Sequence, residues 1–233
     1  MDWNYWPRTY YAVHMIKGAI FDMDGVLVDN LEHHIRAWQR LGKELSLNLA
    51  RDDIRRLFGR RNDEILRELI DPALAPDQIV RLGEHKEQLY REIVAPEIQP
   101  VRGLFDLLDG LQKSGVRLAV ASSACLQNVD LVLDCLKIRH YFDTVVIGAD
   151  VTRSKPDPEI FLLAARRLGL TADQCVVFED SASGITAACQ AGCACVVLTT
   201  THSEDELRHL PAARFVRDFA GITASNLEEL LRK

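Results

Sequence analysis

Four short runs of this 233-residue chain carry side chains suited to one kind of chemistry. Asp22-Met23-Asp24-Gly25 closes an apolar run that begins at Ile16. Ser122-Ser123 follows the run Arg117 to Ala121, Lys155 stands in Ser-Lys-Pro-Asp-Pro ahead of a helical pattern, and Glu179-Asp180 follows Cys175 to Phe178. Singly, each has an ordinary structural explanation, since an Asp after a strand usually caps or turns and Lys-Pro usually lies in a surface loop. At one edge of one sheet they would instead bring a carboxylate cluster, a hydroxyl and a lysine into one pocket. Carboxylates so placed repel by roughly 4 kcal/mol per pair at about 4 Å and an effective dielectric near 20, so a cation must accompany them. An all-oxygen set without a nearby His or Cys favours a hard ion, and Mg²⁺ with retained waters fits best. A metal ion beside a lysine and a hydroxyl suits a phosphoryl group, whose oxygens need neutralising before an anionic nucleophile can approach. The expected chemistry is phosphoryl transfer.

The elements that must position these residues follow from hydrophobic periodicity. Ile16 to Phe21 reads as a buried strand with polar residues at its carboxyl end. From Leu31 to about Pro96 apolar residues recur every three to four positions with no strand-like run, which predicts a small helical bundle. Helices are then expected at 104–113, 127–137, 158–168 and 183–191, each preceding a strand, at 117–121, 144–148, 175–178 and 193–198. Continuous apolar strands between helices predict an α/β fold, a doubly wound (Rossmann-like) parallel sheet with an inserted α-helical cap. The expected organisation is an N-terminal extension over 1–14, a core over 15–30 and 100–233, and the cap over 31–99. In such sheets ligands bind beyond the carboxyl ends of the strands, the edge from which the insert leaves, so the cap is placed to act as a lid.

Composition narrows the partners. The balance of 28 basic against 34 acidic residues, net charge −6, offers no basic face for nucleic acid, and no apolar run approaches the roughly 18 residues of a membrane span. The expectation is a cytoplasmic protein, a monomer or weak dimer, acting on a small phosphorylated metabolite. None of the six cysteines forms a C-x-x-C pair, so they read as buried small hydrophobes, with Cys125 the one candidate for a functional thiol. The segment Met1 to His14, rich in Trp and Tyr, is either an upstream-start extension or a segment that packs on the body or a partner.

In Phe21-Asp22-Met23-Asp24-Gly25-Val26-Leu27-Val28-Asp29, Val120-Ala121-Ser122, Lys155-Pro156-Asp157-Pro158-Glu159-Ile160-Phe161 and Glu179-Asp180-Ser181, the chain from Met15 onward resembles the haloacid dehalogenase superfamily. The similar branch is the C1-capped subfamily IA, whose helical cap follows the first strand. The resemblance implies that Asp22 is the nucleophile, forming an aspartyl-phosphate, and that Asp24 is the acid and then the base. It implies Mg²⁺ held by Asp22, the backbone carbonyl of Asp24 and Asp180, with Glu179 bound directly or in support. Ser122 and Lys155 would hold phosphoryl oxygens, with Ser123 beside them. Superfamily members that cleave carbon–halogen or carbon–phosphorus bonds lack a carboxylate at the position of Asp24, which argues against those activities. Receiver domains use a similar residue set without being hydrolases, so a non-catalytic phosphoaspartate switch is a rival from another class.

The insert should choose the leaving group. His34 with Trp38, Lys86 with Tyr90, and Ser154 before Lys155 resemble β-phosphoglucomutases, whereas Asn62 stands where the mutase has a cap arginine, beside Arg60 and Arg61. His34, Arg60, Arg61 and Lys86 are therefore candidate substrate-binding residues. Their structural alternatives are a core Trp38, a solvated helix end for His33 and His34, and a solvated turn for the arginines. The expected function is a Mg²⁺-dependent phosphatase acting on a metabolite such as a sugar phosphate, with a β-phosphoglucomutase-type mutase as the alternative.

Overall fold

A computed structural model describes residues 16–212 and 214–232. The expected extension over residues 1–14 lies outside the described residues. The short apolar runs form six strands: β1 (Gly18–Phe21), β2 (Arg117–Ala121), β3 (Thr144–Val146), β4 (Cys175–Glu179), β5 (Ala194–Leu198) and β6 (Arg214–Val216). All pair in parallel, in the order β3-β2-β1-β4-β5-β6, so β1 and β4 lie side by side at the centre. A parallel sheet needs cover on both faces. Alternate residues of each strand therefore feed separate cores: Phe21, Val120, Phe178 and Val196 pack on one face, and Ile20, Ala119, Val177 and Cys195 on the other. The first face is covered by α5 (Leu104–Lys113), α6 (Leu126–Cys135) and α10 (Ala224–Arg232), the second by α7 (Glu159–Arg167) and α8 (Ala182–Ala191). The architecture is the expected doubly wound α/β fold.

Between β1 and α5 run four helices, α1 (Leu31–Glu44), α2 (Arg51–Arg56), α3 (Asn62–Leu69) and α4 (Pro76–Val94). Their apolar faces enclose a third cluster of their own, centred on Trp38, Leu41, Ile54, Leu66, Leu89 and Tyr90. The chain after Leu198, for which the periodicity gave no elements, adds α9 (Glu204–Leu207), β6 and α10. Two of them are too short to announce themselves, since α9 has four residues and β6 three, of which Arg214 is exposed, whereas α10 carries Leu227, Leu230 and Leu231 at helical spacing, a signal that was present in the sequence. Cys175, Cys193 and Cys195 are buried as expected, but Cys135 is exposed at the last residue of α6, so the reading of every cysteine as buried is corrected there. Among the described residues no helix is long and apolar enough to cross a membrane.

Phe178 ties the central pair of strands together, stacking on Phe21 with ring centroids 4.7 Å apart and meeting Phe219 edge-on at 5.4 Å. Phe178→Ala opens a void in the core and is expected to cost about 3–5 kcal/mol. Urea unfolding checks this.

Candidate active site

The ladder places the chemistry. Phe21 pairs with both Val120 and Phe178, the Asp22 N–H donates to the Phe178 carbonyl at 3.0 Å, and the Ser122 N–H donates to the Val146 carbonyl at 3.0 Å. Asp22 and Glu179 thus fall level at the carboxyl ends of adjacent strands, with Ser122 one residue further on. Lys155, brought in from the loop before α7, lies between the first two: its Nζ donates to Asp22 Oδ1 at 2.5 Å and to Glu179 Oε1 at 2.6 Å. The other Glu179 oxygen, Oε2, accepts from the Asp180 N–H, the Ser181 N–H and the Ser181 hydroxyl at 2.8, 2.9 and 3.0 Å. A Cβ on Gly184, in the first turn of α8, would lie 1.8 Å from Glu179 Oε1, so the absent methyl is what admits this carboxylate. Gly25 does the same for Asp180: it takes φ +77°, which glycine adopts freely, and a Cβ there would lie 1.9 Å from Asp180 Oδ2.

Two threonines complete this end. The Thr201 hydroxyl donates to Asp180 Oδ2, and the Thr200 hydroxyl donates to the Gly25 carbonyl at 2.6 Å. Neither threonine is among the expected site residues, yet the signal is present, because Thr199-Thr200-Thr201 follows β5 at the same sheet edge as the other motifs. Ser122 is buried and its Oγ accepts from the Ala124 N–H at 3.1 Å. Ser122 and Ser123 both line a cavity of about 910 Å³ between the sheet edge and the four helices.

The electrostatics express crowding. Burial pushes the Asp22 carboxyl up to about 7; the Lys155 charge opposes this, and the charges of Glu179 and Asp24 add to it. Burial, then the charges of Glu179 and Asp22, push Asp180 well above the carboxylate range. Burial alone would lower Lys155, but the charges of Asp22 and Glu179 outweigh it, and the ammonium is held charged. For Asp24, burial is overcome by the His34 contact and the Asn30 hydrogen bond, and the carboxyl lies below its usual range.

The helical insert supplies the opposite wall. His34, on the first turn of α1, is buried at 6% exposure rather than standing at a solvated helix end. It stacks on Tyr90 with centroids 3.8 Å apart. Lys86 Nζ donates to His34 Nδ1 at 2.9 Å, and burial with the Lys86 charge keeps the imidazole neutral, so its proton sits on Nε2, 3.5 Å from Asp24 Oδ1. Asn30 Nδ2 donates to Asp24 Oδ1 and to Tyr90 Oη, each at 2.5 Å. Lys86 also reaches Glu87 at 2.9 Å and lies 5.1 Å from the Trp38 ring centroid; Trp38 itself is a core residue of the insert. Arg60 and Arg61 stand half exposed on the cavity wall, Arg60 paired with Glu68 at 3.3 Å and Arg61 with Asp63 at 3.0 Å and Ser154 at 3.2 Å. Asn30, Glu87 and Asn128 were not singled out in the sequence, where an isolated Asn or Glu on a helical pattern carries no signal.

The donor set suits a hard cation. Asp22 and Asp180 are two buried carboxylates, Asp22 destabilised by the charges of Glu179 and Asp24 and Asp180 by those of Glu179 and Asp22, and the second oxygen of each accepts no hydrogen bond among the described residues. Mg²⁺ is bound by one or two carboxylates and keeps several waters, so this pair suffices even though the described residues contain no cluster of three or more such side chains arranged as ligands. Glu179 was expected among the metal residues. Its four hydrogen bonds occupy both oxygens, which makes it the support of Lys155 and of the Asp180 turn, so Asp22 and Asp180 are the side chains that would hold a metal ion directly.

The family model of haloacid dehalogenase-like hydrolases matches residues 19–198, and the chain belongs to that family. A phosphorylated carbohydrates phosphatase of Thermotoga maritima is 33% identical over 181 residues, covering 76% of this chain and 82% of its own. A beta-phosphoglucomutase of Bacillus subtilis is 30% identical over 185 residues, covering 76% and 80%. Among solved structures, a HAD hydrolase of family IA, variant 3, from Entamoeba histolytica superposes with a TM-score of 0.87 at 25% identity, covering 93% of this chain and 100% of that one. By class the chain is a phosphomonoester hydrolase of this family.

Because burial and the charges of Glu179 and Asp22 disfavour an ionised Asp180, the neutral Asp180→Asn should raise the Tm of the metal-free protein at pH 7.5 in EDTA, which calorimetry checks.

Proposed function

We propose that the chain is a Mg²⁺-dependent phosphatase that passes the phosphoryl group of a small sugar-phosphate-like metabolite to Asp22 and then to water. One observation carries this reading: Lys155 anchors the Asp22 carboxylate through Oδ1 at 2.5 Å on the floor of the cavity, where it can meet the phosphorus of a bound substrate. The ammonium and the Ser122 hydroxyl are the donors for phosphoryl oxygens. When bound, Mg²⁺ supplies the positive charge that offsets Asp22 and Asp180 and neutralises the phosphoryl group. Asp24, on the same loop as Asp22, is held ionised until the phosphate's negative charge enters, when it takes up a proton; it gives that proton to the departing oxygen and later takes one from the attacking water. The neutral His34, its Nε2–H toward Asp24, turns the carboxyl toward the cavity. The insert reaches the reacting groups through His34, 3.5 Å from Asp24, and meets the neighbouring loops through Arg61 at Ser154 and Arg55 at Thr201, which supports its reading as a cap over residues 31–99.

The Thermotoga relative, named for phosphorylated carbohydrates, supports the substrate class, as does a cavity large enough for a hexose phosphate. The Bacillus relative and the set of His34, Trp38, Lys86 and Tyr90 favour a mutase as the second reading. Against it, position 62 is Asn, its amide donating to Glu87 Oε1 at 2.7 Å, and a mutase needs a cation there for a second phosphate.

Two measurements test the reading. Asp22→Asn should lower phosphate release at least about a thousandfold, the scale on which loss of a nucleophile is felt; retained activity would point to another nucleophile. Wild-type protein given β-glucose 1-phosphate with a trace of the 1,6-bisphosphate should yield inorganic phosphate over many turnovers. Glucose 6-phosphate as the main product would make it a mutase, and a single turnover would make it a phosphoaspartate switch.

A further inference from the structure

Glu87 is a carboxylate of the cavity wall that neither the metal site nor the proton transfer uses, and unlike Asp63 and Glu84 on the same wall it is largely buried. It lies on α4, its side chain 14% exposed, with three partners: Lys86 Nζ at 2.9 Å and Asn62 Nδ2 at 2.7 Å on Oε1, and Asn128 Nδ2 at 2.6 Å on Oε2. Asn128 is on α6 of the core and itself accepts from Arg91 at 2.9 Å, so the Glu87 to Asn128 bond crosses from the insert to the core. Burial disfavours the carboxylate form, but the Lys86 charge and the hydrogen bonds from Lys86 and Asn62 oppose it, and Glu87 is held down at a pKa of about 2. A carboxylate can accept about four hydrogen bonds. Three are taken here, and the remaining position is on Oε2. Asn62, Lys86, Glu87, Gln127 and Asn128 all line the cavity on the wall beyond Asp24, where the leaving group of a bound phosphomonoester must lie.

We propose that Glu87 is the specificity-determining residue of this site, accepting a hydroxyl of the leaving group on Oε2 and rejecting any leaving group that carries a second phosphate. The proposal rests on the phosphatase reading and deepens it by naming the substrate class: a monophosphate of an uncharged polyol. A hydroxyl donor completes the coordination of a buried anion whose other positions are already filled. A second phosphate would meet that anion in a desolvated pocket, where like charges cost much. Lys86 does not relieve this, because its ammonium is already divided between His34 and Glu87.

The test compares kcat/KM for a hexitol monophosphate, the corresponding hexitol bisphosphate and phenyl phosphate, in wild type and Glu87→Gln. Wild type should prefer the monophosphate to the bisphosphate by at least about a hundredfold, and Glu87→Gln should shrink that ratio at least about tenfold. A structural role through Lys86 would instead lower all three substrates together and leave the ratio unmoved, which overturns the proposal. If Glu87→Gln does not fold, the wild-type ratio decides: equal use of the two hexitol esters overturns the proposal. Wild type that turns over phenyl phosphate without discriminating loses only this inference; wild type inactive on all three loses the phosphatase reading as well.

Discussion

A buried ammonium holds this site together. Lys155 lies 2.5 Å from Asp22 and 2.6 Å from Glu179 with its side chain 4% exposed, and it is the one cation within hydrogen-bonding reach of the carboxylates at the sheet edge, among the described residues. Without it Asp22, Asp24, Glu179 and Asp180 would face one another in a space from which water is largely excluded, and burial would drive them to protonate. With it Asp22 is still pushed up to about 7, so one lysine is not enough. A divalent cation would make good that shortfall. The shortfall also explains why backbone and hydroxyl donors are lavished on Glu179, the carboxylate that must stay charged to hold the lysine in place.

The fold's part is to deliver these groups without adjustment. In a parallel sheet the register of adjacent strands fixes which residues emerge together, and Phe21 opposite Phe178 brings Asp22 and Glu179 out level. The side chains on either face of that rung are apolar and fully buried, so a slip in register would expose a core face and is strongly opposed. Space is supplied by omission: Gly25 and Gly184 each leave room that a single methyl would fill with a clash against a carboxylate oxygen.

Much of this was legible in the sequence because it is written in local patterns. Continuous apolar runs gave β1 to β5, the change of period at Leu31 gave the insert, and the polar pairs after the strands gave Asp22, Asp24, Ser122, Lys155, Glu179 and Asp180. Long-range pairing was not legible. Thr201 reaches Asp180 across 21 residues, Asn30 joins Asp24 to Tyr90 across 60, and Glu87 meets Asn128 across 41. Each is a polar side chain on an ordinary element whose partner only the fold reveals. His34 shows the same limit in reverse: a histidine at the start of a helix reads as solvated until the packing of Tyr90 and Phe58 around it is seen.

The four-helix insert encloses a hydrophobic cluster of its own and sends His34 to the reacting groups of the core and Glu87 to the cavity wall. On the proposed reading, molecular choice would be carried by the insert and bond breaking by the sheet edge, with His34 the insert's contribution to it. Replacing the residues of the insert that line the cavity would then redirect the enzyme toward new metabolites while the phosphoryl machinery on the sheet stayed as it is, so that selection could change the substrate without touching the chemistry.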